Sequence, residues 1–222
     1  MNPPSDSGLD VSSVLKEVRR HEVNLIDRLR ELVEIESPSA DKMGVDQVQT
    51  VFAEWAEAAG AKIRRHAHRS FGDSLEIRFG ERYRGESRIM LLGHLDTVWA
   101  VGTLARMPLK VTRDRISGPG VLDMKAGVVM ALTAVEVLQE MKLLRRPLTL
   151  LIHGDEEVGS LASRMLTESV ARRCGAVYVL EPAQGETGAY KTARKAVGLY
   201  RLSVKGIAAH SGVDFEQGQR GG

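Results

Sequence analysis

Residues 88–98 read Arg-Ile-Met-Leu-Leu-Gly-His-Leu-Asp-Thr-Val, and the prediction of the fold starts from them. The continuous apolar run at 89–92 is typical of a buried strand in a parallel sheet. The run ends at Gly93, and in open α/β sheets ligands bind outside the carboxyl ends of the strands. Because residues two apart on an extended chain point the same way, His94 and Asp96 would share one face, which suits a metal-ligating imidazole held by a carboxylate. The alternative is a strand end with a solvated His and Asp.

The composition narrows the class of protein. The 222 residues are 43% apolar and 27% charged, with a formal net charge of +2. This ordinary globular balance does not indicate nucleic acid or an anionic membrane as the main partner. The single cysteine, Cys174, excludes an intramolecular disulfide and a cysteine-based zinc site, and is expected to be a small buried hydrophobe. Without a signal-peptide pattern or an apolar run of membrane-spanning length, a cytoplasmic protein is expected.

Apolar periodicity predicts alternating helices and strands along most of the chain. Predicted helices cover 10–36, 41–59, 124–141 and 160–173, and predicted strands cover 61–67, 74–79, 89–92, 148–153 and 177–180. Residues 109–116 are expected to form a short excursion at an edge. The order strand, helix, strand predicts an α/β fold, with a mostly parallel sheet covered by helices on both faces.

The C-terminal residues predict the start of a second unit. Further strands are expected within 186–204, with a new strand at 199–205 and a loop at 208–212. Because so short a segment cannot bury a core of its own, the chain is interpreted as truncated. The predicted organisation is a disordered lead-in at 1–9, an incomplete domain at 10–196 and the beginning of another domain at 197–222.

Acidic residues recur where site residues are expected, after strands or in breaks. They are Asp96 beside His94, Asp123, the run Asp155-Glu-Glu157, and Glu181. Each has an ordinary alternative: Asp123 could cap a helix, the run could be a solvated loop, and Glu181 could be a strand-end charge. Converging carboxylates repel one another unless bound cations compensate them. Imidazole with carboxylates suits zinc, with manganese or cobalt as alternatives.

Four blocks of sequence, in uninterrupted order, resemble the signature blocks of the M20 di-zinc peptidases. They are Gly93-His-Leu-Asp-Thr-Val98, Gly118-Pro-Gly-Val-Leu-Asp-Met-Lys-Ala-Gly127, Gly154-Asp-Glu-Glu-Val-Gly-Ser160 and Leu180-Glu-Pro182. Within that family the sequence most resembles the glutamate carboxypeptidases, with acetylornithine and succinyl-diaminopimelate deacylases as related groups. The resemblance implies an incomplete metallopeptidase catalytic domain over 10–196 and the beginning of a lid and dimerisation domain over 197–222.

The resemblance also implies a set of metal ligands by position. Asp123 would bridge two zinc ions, His94 and Glu181 would complete the first site, and Glu157 would join the second. The second site in the family needs a further histidine from a segment beyond residue 222. A cis peptide bond after the bridging aspartate is also implied, here between Asp123 and Met124.

Two further carboxylates receive catalytic roles from the resemblance. Asp96 would orient His94, and Glu156 would be the general base. The chemistry is consistent with this, because a carboxylate next to a ligand lies close to the attacking water yet is free to take its proton. Two metals about 3.5–4 Å apart can share a hydroxide and polarise the scissile carbonyl.

Substrate contacts are expected from basic residues. The resemblance implies that His210 reaches the active site of a partner subunit in a homodimer. The alternative is a solvated loop histidine. Arg194 and Lys125 could bind a substrate carboxylate or could be solvated.

For the intact protein, the resemblance implies hydrolysis of an amide next to a carboxylate-bearing residue, in a small peptide or an N-acyl amino acid. This activity is expected to be impaired in the truncated chain. A metal-binding remnant without catalysis is the alternative from another class. A phosphate-binding module at 118–120 is a third hypothesis, although the Lys and Ser/Thr of a P-loop are absent in register.

Overall fold

The structure, a computed structural model, describes residues 10–81, 83, 87–185, 187–195, 198, 200–203, 205–207, 213 and 219–220. Contacts divide the chain into two units, Met1–Pro182 and Ala183–Gly222. This division falls earlier than the boundary at 196, and the lid domain stays a prediction. No helix in the described ranges is long and apolar enough to cross a membrane.

A five-stranded sheet in the order β1-β2-β6-β3-β7 forms the centre of the first unit. Its strands are β1 (Lys62–His66), β2 (Ser74–Phe79), β3 (Arg88–His94), β6 (Leu148–His153) and β7 (Cys174–Val179). β3 pairs in parallel with β6 and β7, whereas β2 is antiparallel to both β1 and β6. Four strands therefore run in one direction, and the predicted α/β class with a mostly parallel sheet is confirmed.

Helices cover both faces of this sheet. They are α1 (Val11–Arg20), α2 (Glu22–Glu34), α3 (Lys42–Ala58), α4 (Thr103–Arg106), α5 (Ala126–Glu140) and α6 (Arg164–Ala171). The main core joins α2, α3 and α5 to one sheet face, where Leu148, Leu150 and Ile152 alternate along β6. On the opposite face Val170 of α6 packs against Met90 and Leu151.

The helix predicted over 10–36 is wrong as one element, because the chain turns at His21. The His21 amide donates to the carbonyl of Val18 at 3.0 Å, which tightens the last turn of α1. Among their residues, α2 buries Leu29, Leu32 and Val33, whereas α1 buries none. Periodicity continues through the break, but only the second helix packs into the core.

Other boundaries differ from the predictions by a few residues. α5 begins at Ala126 after an irregular turn at Val121–Lys125, α6 is shorter than predicted, and β7 begins earlier, at Cys174. The excursion at 109–116 is a small hairpin of β4 (Lys110–Val111) and β5 (Ile116–Ser117). Cys174 is half-buried rather than buried, because it begins a strand at the edge of the sheet.

The strands predicted within 186–204 are wrong for the described part of that range. Residues 187–195, 198 and 200–203 form no strand, apart from a bridge between Gln184 and Ala189. β8 (Gly206–Ile207) pairs with β9 (Gln219–Arg220). Tyr190, Tyr200 and Leu202 are each about nine-tenths exposed, so alternation there does not bury an apolar face.

Candidate metal centre

Three parallel strands end side by side and carry most of the predicted site. His94 ends β3, the turn with Glu156 and Glu157 follows β6, and Glu181 follows β7. Asp123 lies in the turn before α5. The carboxyl edge of the sheet thus gathers residues from four separate segments.

The imidazole of His94 lies at the centre of this cluster. Its Nε2 atom is 3.2 Å from Asp123 Oδ1, 3.5 Å from Glu181 Oε1 and 3.8 Å from Glu156 Oε2. Ligand atoms lie within 4.8 Å of one another in two groups, His94 with Asp123 and Glu157, and His94 with Glu156 and Glu181. Each group contains one of the two adjacent glutamates, so both carboxylates reach the same centre.

The cluster fits a divalent cation. Among the described residues, the buried Nε2 of His94 has no hydrogen-bond partner of good geometry, although carboxylate oxygens surround it. A buried polar atom without a partner is costly, and a cation would satisfy it together with the carboxylates. One imidazole with two or three carboxylates is a donor set that suits zinc.

Electrostatics in the cluster reflect the crowding of acidic groups. Burial opposes protonation of His94, but the carboxylates of Asp96 and Glu181 outweigh it and raise the pKa of the imidazole to about 11. Burial first, and then neighbouring carboxylates, raise the pKa of three acidic side chains, those of Asp123, Glu156 and Glu157. A bound cation would compensate this repulsion.

The turn before α5 aims Asp123 at the centre. Gly120 adopts a left-handed conformation with φ +69°, and the bond between Asp123 and Met124 is cis, as the resemblance implied. Gly127 packs so closely on the end of β7 that a Cβ atom there would lie 2.2 Å from the Leu180 carbonyl oxygen. This close approach brings Glu181 next to the start of α5.

Asp96 is fully buried and contacts several segments. Its Oδ1 accepts from the Glu156 amide at 3.2 Å, and its Oδ2 accepts from the Glu157 amide at 3.1 Å. Nδ1 of His94 lies 2.9 Å from the Asp96 main-chain carbonyl and 3.4 Å from its carboxylate. The predicted partner of His94 therefore also holds the backbone of both glutamates.

Sequence reasoning missed one buried partner of this carboxylate, Ser39. Its hydroxyl donates to Asp96 Oδ2 at 2.7 Å. The two residues are 57 positions apart in the chain, and Ser39 carries no motif of its own, so no local signal could have identified it.

Of the basic residues considered for substrate binding, Lys125 has a different position from the one expected. Lys125 is neither solvated nor available to a substrate, because it is buried and its Nζ donates to the carbonyls of Leu32 and Ile35, both at 2.8 Å. Burial lowers its pKa to about 7. Arg194 is exposed and belongs to the second unit, and His210 lies outside the described residues, so their substrate roles stay predictions.

Comparisons with known proteins agree with these motifs. Carboxypeptidase G2 from Pseudomonas sp. (strain RS-16) is 27% identical over 197 residues, which cover 87% of this chain and 47% of that protein. A putative succinyl-diaminopimelate desuccinylase from Mycobacterium tuberculosis (strain ATCC 25618 / H37Rv) is 32% identical over 187 residues, covering 81% of this chain and 47% of that protein. The chain thus spans about half the length of these curated relatives.

A solved structure shows the same fold. The di-peptidase Dug1p from Saccharomyces cerevisiae superposes with a TM-score of 0.69 at 18% identity, covering 78% of this chain and 41% of that one. The sequence profile described as Peptidase family M20/M25/M40 matches residues 90–218, which is more than half of the chain and includes all four motif blocks. The chain therefore belongs to peptidase family M20/M25/M40.

Proposed function

We propose that this chain supplies the metal ligands and the general base of a zinc amidohydrolase that cleaves an amide bond next to a carboxylate-bearing amino acid. The observation that carries the proposal is the buried His94 Nε2, which has carboxylate oxygens from three other segments within 3.8 Å. In the described residues none of these oxygens has the geometry of a hydrogen bond to this nitrogen. A structural histidine would be expected to have one.

In this proposal the ligands fall into two sets. His94, Asp123 and Glu181 hold the first zinc ion, and Asp123 with Glu157 contributes to the second. Cobalt or manganese could replace zinc in such a donor set. Among the described residues this assigns three ligands to the first position and two carboxylates to the second, so we expect the first position to bind more tightly.

The general base in this proposal is Glu156. Bound zinc supplies Lewis acidity towards the scissile carbonyl and lowers the pKa of a water molecule. Glu156 takes a proton from the attacking water and later delivers it to the amine that leaves. Burial raises the pKa of Glu156, which favours the protonated form that must donate in the second step. The Glu156 amide donates to Asp96, and this bond keeps the Glu156 carboxylate at the centre.

The substrate class rests on the names of the relatives. A carboxypeptidase and a desuccinylase both act next to carboxylate groups, and we extend this to a small peptide or an N-acyl amino acid. A homodimer in which His210 and Arg194 contact the substrate is part of the same proposal. A metal-binding chain without catalysis is the second candidate, favoured by the grouping of His94 with carboxylates, which accounts for metal binding without requiring a reaction.

Metal analysis of the purified 222-residue chain tests the proposal. We expect about one tightly bound zinc per chain and little or no hydrolysis of N-acyl amino acids, because three of the described residues serve the first position and two serve the second. Glu181→Gln should lower the zinc content. Glu168→Gln, the same change on an exposed residue of α6, should leave it unchanged. A wild-type chain that stays zinc-free, or an equal loss in both variants, would contradict the metal site.

The role of Glu156 is tested by measuring turnover and zinc content together in an active form of the protein. Glu156→Gln should lower turnover about 10²–10⁴-fold while zinc content stays unchanged, because a general base contributes on that scale without holding the metal. Glu157→Gln should instead lower occupancy of the second position. Turnover within a few fold of the wild type for Glu156→Gln would rule out its assignment.

A further inference from the structure

The segment Ser37–Ser39 runs beside the residues that follow β3. Pro38 and Thr97 form a parallel bridge. The Thr97 amide donates to the Ser37 carbonyl at 2.8 Å, and the Ser39 amide donates to the Thr97 carbonyl at 3.2 Å. Both serine side chains are buried, at 0% exposure for Ser37 and 5% for Ser39. This bridge brings two hydroxyl groups next to the chain that carries Asp96.

The two hydroxyl groups have different acceptors. Ser37 Oγ donates to the main-chain carbonyl of Leu95 at 2.7 Å, whereas Ser39 Oγ donates to the carboxylate of Asp96 at the same distance. The bond from Ser39 is shorter than the contacts of this carboxylate with the amides of Glu156 and Glu157. Hydrogen bonds to a charged acceptor are about twice as strong as neutral ones. Ser39 therefore adds a charge-assisted side-chain hydrogen bond to the two backbone amides that bind the Asp96 carboxylate.

This attachment fixes the direction of the carboxylate. Ser39 and the Glu157 amide share Oδ2, and the Glu156 amide binds Oδ1. Rotation of the carboxyl group would break both amide bonds together. His94 depends less on this rotation, because its Nδ1 lies closer to the Asp96 main-chain carbonyl, at 2.9 Å.

We infer that Ser39 is a positioning residue, which holds the Asp96 carboxylate against the Glu156–Glu157 backbone and so keeps both glutamate side chains at the metal centre. The inference rests on the proposed function for its metal. The contact with the two backbone amides is independent of that function. Ser39 is in neither group of candidate metal ligands, so it acts through Asp96.

The experiment compares Ser39→Ala with Ser37→Ala in the 222-residue chain. The two variants lose the same hydroxyl group from buried positions two residues apart, but only Ser39 binds a carboxylate. Amide hydrogen exchange of Glu156 and Glu157 is measured by NMR on the metal-free chain. Zinc affinity is measured by competition with a chromophoric chelator, and Ser39→Thr tests rescue by a retained hydroxyl.

We expect Ser39→Ala to speed exchange of the two amides about fivefold or more. Zinc binding should weaken about tenfold, which is the smaller effect typical of residues that hydrogen-bond metal ligands without touching the metal. Ser37→Ala should leave both values within about twofold of the wild type. Unchanged exchange in Ser39→Ala, or equal changes in both variants, would overturn the inference. If Ser39→Ala does not fold, Ser39→Cys, which keeps the volume with a weak donor, is read by the same criteria.

The two readouts separate the inference from the proposed function. A wild-type chain that binds no zinc overturns the metal centre, while the exchange rates still decide whether Ser39 holds the two amides. A wild-type chain that binds zinc, with Ser39→Ala unchanged in both readouts, overturns only the inference.

Discussion

His153 is a buried histidine beside the metal centre with a full set of partners. Its Nδ1 lies 3.0 Å from the Ser74 hydroxyl and its Nε2 lies 2.7 Å from the Thr167 hydroxyl. It pairs in register with His94 on the next strand, yet only His94 faces carboxylates within ion-pair distance. At the scale of single residues, two histidines at the ends of neighbouring strands thus have different chemistry because their neighbours differ.

This difference predicts a loss of stability in acid. Burial lowers the pKa of His153 from 6.5 to about 4. Between these values the unfolded chain binds a proton that the folded chain does not, so the free energy of unfolding falls as the pH decreases from 6.5 to 4. The contribution is at most about 1.4 kcal/mol per pH unit. Urea denaturation of the wild type and His153→Gln should therefore give a shallower acid slope for the variant, and parallel curves would contradict the neutral buried state.

At the scale of elements, the centre depends on how closely α5 packs on the end of β7. Gly127, in the first turn of α5, faces the Leu180 carbonyl. A Cβ atom on Gly93 of β3 would lie 3.0 Å from the Val128 side chain. Lys125 adds a second tie, from the turn before α5 to the carbonyls at the end of α2. The close approach of Gly127 to Leu180 therefore holds the start of α5 against the segment that carries Glu181, and Lys125 ties the same turn to α2.

The packing of α5 predicts an unusual sign for Gly127→Ala. Replacing glycine by alanine within a helix ordinarily stabilises it, by up to about 1 kcal/mol. Here the added methyl group would lie 2.2 Å from the Leu180 carbonyl oxygen, so one backbone must move. We expect a loss of about 1–3 kcal/mol in the free energy of unfolding, typical of overpacking, and weaker zinc binding as Glu181 is displaced.

Denaturant unfolding and zinc titration check this, with Met130→Ala on the exposed side of α5 as the control. The control should change stability by no more than about 0.5 kcal/mol. A more stable Gly127→Ala variant with normal zinc affinity would show that the close approach does not constrain the site.

At the scale of the whole molecule, the sheet has two different edges. β1 forms one edge and carries the charged residues Lys62, Arg64 and Arg65, which discourage pairing with another sheet. β7 forms the other edge and ends in Val177, Tyr178 and Val179, each 42–57% exposed. An exposed apolar edge strand is an expected site of self-association.

We therefore expect the purified chain to self-associate through β7. Tyr178→Lys should reduce the associated fraction about threefold or more, as a charge on an edge strand does. Tyr190→Lys, the same substitution at a more exposed tyrosine outside the strands, should have little effect. Light scattering and size-exclusion chromatography measure the associated fraction of each variant. Equal solubility of the two variants would place the association elsewhere.

Local patterns in the sequence were sufficient for much of this protein. The apolar run of β3, the run of β6 and the buried face of α5 each predict their element from adjacent residues, because burial imposes a pattern on neighbouring side chains. The motif blocks likewise identify His94, Asp123 and Glu181 as candidate ligands. His94 ends β3 and Glu181 follows β7, at the edge where parallel strands end together, whereas Asp123 lies in the turn before α5.

Tertiary structure alone decided the remaining features, since they depend on residues that are distant in the chain. Lys125 binds the carbonyls of Leu32 and Ile35, which are 93 and 90 positions away, and Ser39 binds Asp96 across 57 positions. The break at His21 depends on which of the two helices packs into the core. The alternation near Tyr200 and Leu202 predicted a strand, but a strand forms only where other strands supply hydrogen bonds and a face to bury. Whether a periodic segment packs, and which polar groups meet inside, is decided by the neighbours that folding brings to it.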